Sequence, residues 1–134
     1  MTKVNTACII EDNSASIFWI KEIMNEVHFA NHLITYTNGK EALDDLSEKI
    51  KDAASTPEVI FLDINMPVMD GWEFLDEFSK IEPAKKIHIY VLTSSEDPED
   101  TVKAEKYKSI AGYIVKPVTE EKLKEILVSF NGTD

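Results

Sequence analysis

Cysteine is almost missing from this 134-residue chain: Cys8 stands alone, so no intramolecular disulfide can form. It sits in the apolar run "ACII", where a buried and inert thiol is expected. Glycine is scarce, with four residues in all, and none of them builds a G-x-G-x-x-G or G-x-x-x-x-G-K-[ST] phosphate loop. That weighs against a nucleotide-binding domain. No Cys or His cluster suggests zinc, since His28, His32 and His88 lie apart and read as structural or surface residues. No apolar stretch approaches the ~20 residues needed to span a bilayer, and "MTKVNTACIIEDN" has no signal-peptide hydrophobic region. Basic residues are outnumbered, 14 Lys and Arg against 25 Asp and Glu, leaving a net charge of −11. Such a field repels nucleic acid and anionic lipid, and attracts divalent cations where carboxylates converge. These absences fit a reducing cytoplasm, with no direct nucleic-acid or membrane contact.

The chain has the length of one domain and an ordinary globular composition, 43% hydrophobic and 29% charged. Short apolar runs alternate with helical patterns. The runs at 7–10, 33–37, 59–62, 87–92 and 112–115 are rich in β-branched or aromatic residues, as strands buried on both faces should be. Between them, Ile17, Ile20, Met24 and Val27 share one helical face, and Leu43, Leu46 and Ile50 share another. Trp72 to Lys80 places Phe74, Leu75 and Phe78 at helical spacing. Val102 to Lys108 is a more polar helix, introduced by "SSEDPED". A last helix from about Thr119 carries the stripe Leu123, Ile126, Leu127 and Phe130. All these stripes read as core packing. Five βα units predict an α/β, doubly wound, five-stranded parallel sheet with helices on both faces. No internal linker or repeat interrupts the chain, and only "NGTD" looks frayed.

In such sheets ligands sit outside the carboxyl ends of the strands. Strand 1 ends in Glu11 and Asp12, strand 3 in Asp63, strand 4 in Thr93 and strand 5 in Lys116. Asp12 and Thr93 each have an alternative as a helix cap, but five chemically matched residues on one edge are hard to ascribe to chance. Three crowded carboxylates repel one another, and beside an apolar sheet their ionised forms are poorly solvated. A hard divalent cation with oxygen ligands resolves that conflict, which points to Mg²⁺. Lys116 and Thr93 are anion partners, so the set describes a phosphoryl site. Asp63, between the acidic pair and the Thr/Lys side, is then the natural nucleophile. Pro67 and Gly71 fix a tight path after it, which would leave the Asn65 carbonyl to face the metal. "KP" at 116–117 is a cis-peptide candidate, with ordinary turn punctuation as the equal alternative for Pro117.

With "ACIIEDN", "LDINMPVMDGWEFL", "VLTSS" and "GYIVKPV" assembled, the chain resembles the receiver domain of bacterial two-component response regulators along essentially its whole length. The resemblance implies the flavodoxin-like strand order 2-1-3-4-5. It also implies that Asp63 is the phosphoacceptor, supplied by a histidine kinase, a phosphotransfer protein or a small acyl phosphate. Asp12 would match a direct Mg²⁺ ligand, Glu11 one acting through water, and Asn65 the backbone carbonyl ligand. Thr93 and Lys116 would match the hydroxyl and ammonium on the phosphoryl group, and Tyr113 the switch aromatic, against the alternative of a half-exposed strand tyrosine. Activation would alter the surface of helix 4, strand 5 and helix 5. Asn65 and Ser95 would flank the path of the hydrolytic water. A phosphatase with Asp63 as turnover nucleophile is the competing reading. It is disfavoured by Asn65, where such hydrolases often carry a second Asp, and by the lack of a cap insertion. Residues 1–134 are expected to form one receiver domain without an output domain, either standing alone or as part of a longer protein. Kinase specificity is expected around Ser14 to Phe18.

Overall fold

A computed structural model of the chain describes residues 4–94, 98–107 and 110–131. Ser95 and most of the terminal "NGTD" lie outside them. The order of elements is β1 (Val4–Ile10), α1 (Ser14–Glu26), β2 (Ala30–Tyr36), α2 (Gly39–Lys49), a 3-10 turn (Ala53–Ser55), β3 (Val59–Asp63), α3 (Gly71–Phe78), β4 (His88–Thr93), α4 (Pro98–Glu105), β5 (Ile110–Val115) and α5 (Glu120–Asn131). The strands form one five-stranded sheet in the order β2-β1-β3-β4-β5, every neighbouring pair parallel.

β1 and β2 both start three residues before their apolar runs, because Val4 pairs with Ala30 and Thr6 with His32. β2 is an edge strand, and its Asn31 and His32 are exposed, so the backbone ladder continues where hydrophobicity has stopped. β3 lies in the middle of the sheet and all five of its residues are buried. α4 runs from Pro98 to Glu105, earlier than the expected Val102 to Lys108, because its early residues are polar and carry little apolar signal. Just beyond it, Tyr107 stacks on Trp72 of α3 with ring centroids 5.7 Å apart and donates to Asp76 Oδ1 at 2.6 Å.

Helix starts follow local chemistry. Asn13 caps α1, its side chain accepting from the Ser16 N–H at 3.0 Å, and Asn38 caps α2 through the Glu41 N–H at 2.7 Å. Asp70 and Glu73 form a reciprocal capping box on α3. The cap of α1 is thus Asn13, not Asp12. Thr93 closes β4, ahead of an α4 that begins at Pro98.

One apolar layer packs α1 and α5 on the sheet through residues such as Ile20, Met24, Leu123 and Leu127. The other packs α2, α3 and α4 through Leu46, Phe74, Leu75 and Ala104. Cys8 is fully buried, and burial pushes its thiol pKa well above the ordinary range, so it stays protonated and inert. Phe61 on β3 is also fully buried, between the rings of Phe29 at 5.7 Å and Tyr90 at 5.9 Å. Phe61→Ala is therefore expected to cost about 3–5 kcal/mol in urea unfolding. Phe18→Ala, on the exposed face of α1, should change stability by less than about 0.5 kcal/mol.

Candidate functional site

The carboxyl edge of the sheet holds an open cleft of about 470 Å³ lined by Glu11, Asp12, Asn13, Ser14, Asp63, Asn65, Ser94 and Lys116. Glu11 and Asp12 follow β1 directly, Asp63 is the last residue of β3, and Lys116 follows β5. In-register parallel pairing makes these ends coincide: Ile10 lies beside Leu62, Asp63 beside Leu92, and Thr93 beside Val115. Glu11 is fully buried and Asp63 nearly so, while Asp12 is exposed. One oxygen from each of the three falls within 4.8 Å of the others.

Lys116 answers this negative charge. Its Nζ stands 2.7 Å from Glu11 Oε2 and 3.6 Å from Asp63 Oδ1. The shorter contact is a charge contact without hydrogen-bond alignment, since buried Glu11 Oε2 has no hydrogen-bond partner. Glu11 Oε1 accepts from the Asn13 N–H at 3.3 Å. Asp63 Oδ1 accepts from the Asn65 N–H at 3.1 Å. Burial raises the Asp63 pKa from its ordinary 3.8 to about 6. The Asn65 N–H opposes that rise, Glu11 adds to it and Lys116 pulls against it.

The loop after β3 is folded tightly by its own sequence. Met69 donates to Pro67 O at 2.7 Å and Gly71 to Ile64 O at 3.2 Å. A Cβ on Gly71 would meet Ile64 Cα at 2.7 Å and Asp63 O at 2.8 Å, so this close approach requires glycine. Between them Val68 takes φ 68° and is 81% exposed. For a β-branched residue that left-handed conformation is strained, and the surrounding turn maintains it.

Thr93 is buried and lies outside the cleft lining, although Ser94 beside it is part of the wall. Tyr113 is half-buried on β5, packed against the α2–α4 layer. Its register partner is Val91, two residues before Thr93, so the two-residue period of strands puts Thr93 and Tyr113 on one face of the sheet. The Lys116–Pro117 bond is cis. Asn13 and Ser94 are cleft residues that the reading of strand ends missed. Each follows a residue singled out there, and that position was the available signal.

The donor set consists of oxygens: three carboxylates, one of them carrying an unsatisfied buried atom. Such a set fits a hard divalent cation and offers nothing to a soft one. Glu11, Asp12 and Asp63 would hold it.

The sequence matches the family described as response regulator receiver domain over residues 7–128. It is 31% identical, over 87% of its length, to the probable methanogenesis regulatory protein FilR2 of Methanothrix harundinacea, of which it covers 74%. The chain spans 29% and 54% of two longer curated relatives that it also matches. Among solved structures it resembles a two-component response regulator from Cytophaga hutchinsonii, with a TM-score of 0.88 and 29% identity over 98% of this chain and 99% of that one. The fold also matches the receiver domain of the sensor histidine kinase PA1611 from Pseudomonas aeruginosa, solved with a magnesium ion coordinated in its active site cleft. There the TM-score is 0.77 and the identity 19%, covering 96% of this chain and 98% of that one. The chain belongs to the response regulator receiver domain family of two-component signalling.

Proposed function

We propose that Asp63 is the phosphoacceptor of a phosphorylation-dependent switch, loaded from a histidine kinase or a phosphotransfer protein. One observation carries this reading: a nearly buried carboxylate, with pKa raised to about 6, stands in an open cleft between two further acids and one ammonium. At neutral pH most of Asp63 is ionised and able to attack. One of its oxygens bonds to phosphorus while the bond from phosphorus to the donor imidazole nitrogen breaks, and that nitrogen keeps the electron pair. Lys116 moves from the carboxylates to an oxygen of the transferred group, and the Thr93 hydroxyl donates to another.

Magnesium, held by Glu11, Asp12 and Asp63 with the Asn65 carbonyl, would supply positive charge opposite the phosphoryl oxygens. The magnesium ion in the active site cleft of the Pseudomonas receiver domain supports a cation in the cleft of this fold. The new acyl phosphate adds about −1.5 to −2 charge. Thr93 then follows its oxygens, and Tyr113, on the same sheet face, turns into the vacated space. The surface formed by α4, β5 and α5 thereby changes its affinity for a protein partner, as a population shift between two packings. On this reading residues 1–134 act as one receiver domain in the cytoplasm through protein contacts. Among the described residues no helix is long and apolar enough to cross a membrane.

Incubation with a small phosphodonor and Mg²⁺ should label the chain, and Asp63→Asn should abolish the label. Retained labelling would move the acceptor elsewhere. Mg²⁺ at millimolar concentration should raise the melting temperature, because a ligand of the native state stabilises by mass action. Asp12→Asn should remove most of that rise. The raised Asp63 pKa also sets a pH dependence. Between pH 3.8 and about 6 the folded state holds a proton that the unfolded state has released, so stability falls as pH rises through this window. Without metal, Asp63→Asn should therefore be more stable than the parent at pH 7.5 by on the order of 3 kcal/mol. Chemical unfolding should show the difference vanishing below about pH 4.

A further inference from the structure

We infer that Trp19 is a positioning residue for Lys116, latching the turn after β5 to α1. The inference rests on the phosphoacceptor reading, in which Lys116 must leave Glu11 for the phosphoryl group. Trp19 is 48% exposed, where water would satisfy its indole N–H. Instead its Nε1 donates to the carbonyl of Val118 at 2.7 Å, across 99 residues of sequence. Val118 itself is almost fully buried in the apolar layer that contains Ile20, the neighbour of Trp19. The indole therefore grips a backbone point that is already seated.

Only Pro117 separates that point from Lys116, and its ring locks one of the two backbone torsions. That lock reduces the slack between the gripped carbonyl and the lysine Cα. On the other side, the Lys116 N–H donates to Thr93 O at 2.7 Å. The lysine backbone is thus held from β4 and from α1 together. This matters because the ammonium rides on a flexible four-carbon stem, so its reach is accurate only when its root is fixed.

The geometry also closes a ring. The Lys116–Glu11 charge contact at 2.7 Å and the Trp19–Val118 hydrogen bond join the same two chain segments, 11–19 and 116–118. Two links between one pair of segments raise each other's effective concentration. When Lys116 releases Glu11, the indole link keeps the turn in register while the side chain swings. Trp19 is not part of the cleft lining, so its action passes through Lys116.

Trp19→Phe removes the N–H and keeps an aromatic ring, in both the parent and a Lys116→Met background. In the parent, the rate of Mg²⁺-dependent labelling by phosphoramidate should fall about fivefold, as expected for one lost hydrogen bond. In the Lys116→Met background the same substitution should change the rate very little, since a coupled pair is not additive. By NMR, the Lys116 amide should exchange with solvent about fivefold faster, while the Phe61 amide in the core is unchanged. Labelling of Trp19→Phe at the parent rate would overturn the latch, and so would an equal loss in both backgrounds. If the parent chain takes no label, the phosphoacceptor reading fails by itself. The exchange measurement then decides the latch: faster Lys116 exchange in Trp19→Phe supports it, and unchanged exchange refutes it.

Discussion

Glu11 and Asp63 place two negative charges at the edge of an apolar sheet, with Lys116 as the ammonium between them. A buried charge without a partner costs several kcal/mol, and this contact offsets part of that cost for the two carboxylates. The offset is incomplete. One Glu11 oxygen keeps no hydrogen bond, and Asp63 is held above its ordinary pKa chiefly by burial. On the proposed reading, the remaining imbalance would draw a cation into the cleft and leave Asp63 ready to react.

The rest of the fold holds that contact in place. Central β3 is buried along its whole length and is flanked in register by β1 and β4, so the positions of Glu11 and Asp63 follow from the sheet ladder. The apolar layers on the two faces make that ladder rigid. Loop 64–71 returns the chain over the site at the cost of a strained Val68 and a glycine that admits no Cβ. Strain of this kind persists where the surrounding structure over-determines it, and it concentrates at functional sites.

On the proposed reading, switching uses the same geometry. Lys116 has two anionic partners close at hand, and a third would redistribute it among them with small movements. Thr93 and Tyr113 share a face on adjacent strands, the arrangement that the proposed coupling between them requires. Beyond them, α4 is tied to α3 by the Trp72–Tyr107 stack and the Tyr107–Asp76 hydrogen bond. On that reading, a change at the cleft would pass through packed contacts and a shared sheet face.

Much of this was legible in the residues themselves. Apolar runs and helical stripes determine five βα units, because burial of a parallel sheet on both faces demands them. The identities at four strand ends point to the phosphoryl chemistry proposed above, since carboxylates, ammonium and hydroxyl have few other joint uses. Polar elements were less legible. The first residues of β2 and of α4 form by backbone pairing and helix propagation, which leave no hydrophobic mark. The assignment of the α1 cap to Asn13, leaving Asp12 for the cleft, depends on one backbone geometry. Ser94 and Asn13 enter the wall because of how their loops turn. The Trp19–Val118 bond joins residues 99 apart, a separation that no local pattern encodes. Sequence by itself determined which groups arrive at the sheet edge, because periodicity and side-chain chemistry are local properties. Only the tertiary structure decided which of them touch, which are buried and which ammonium meets which carboxylate, because those depend on distances between segments far apart in the chain.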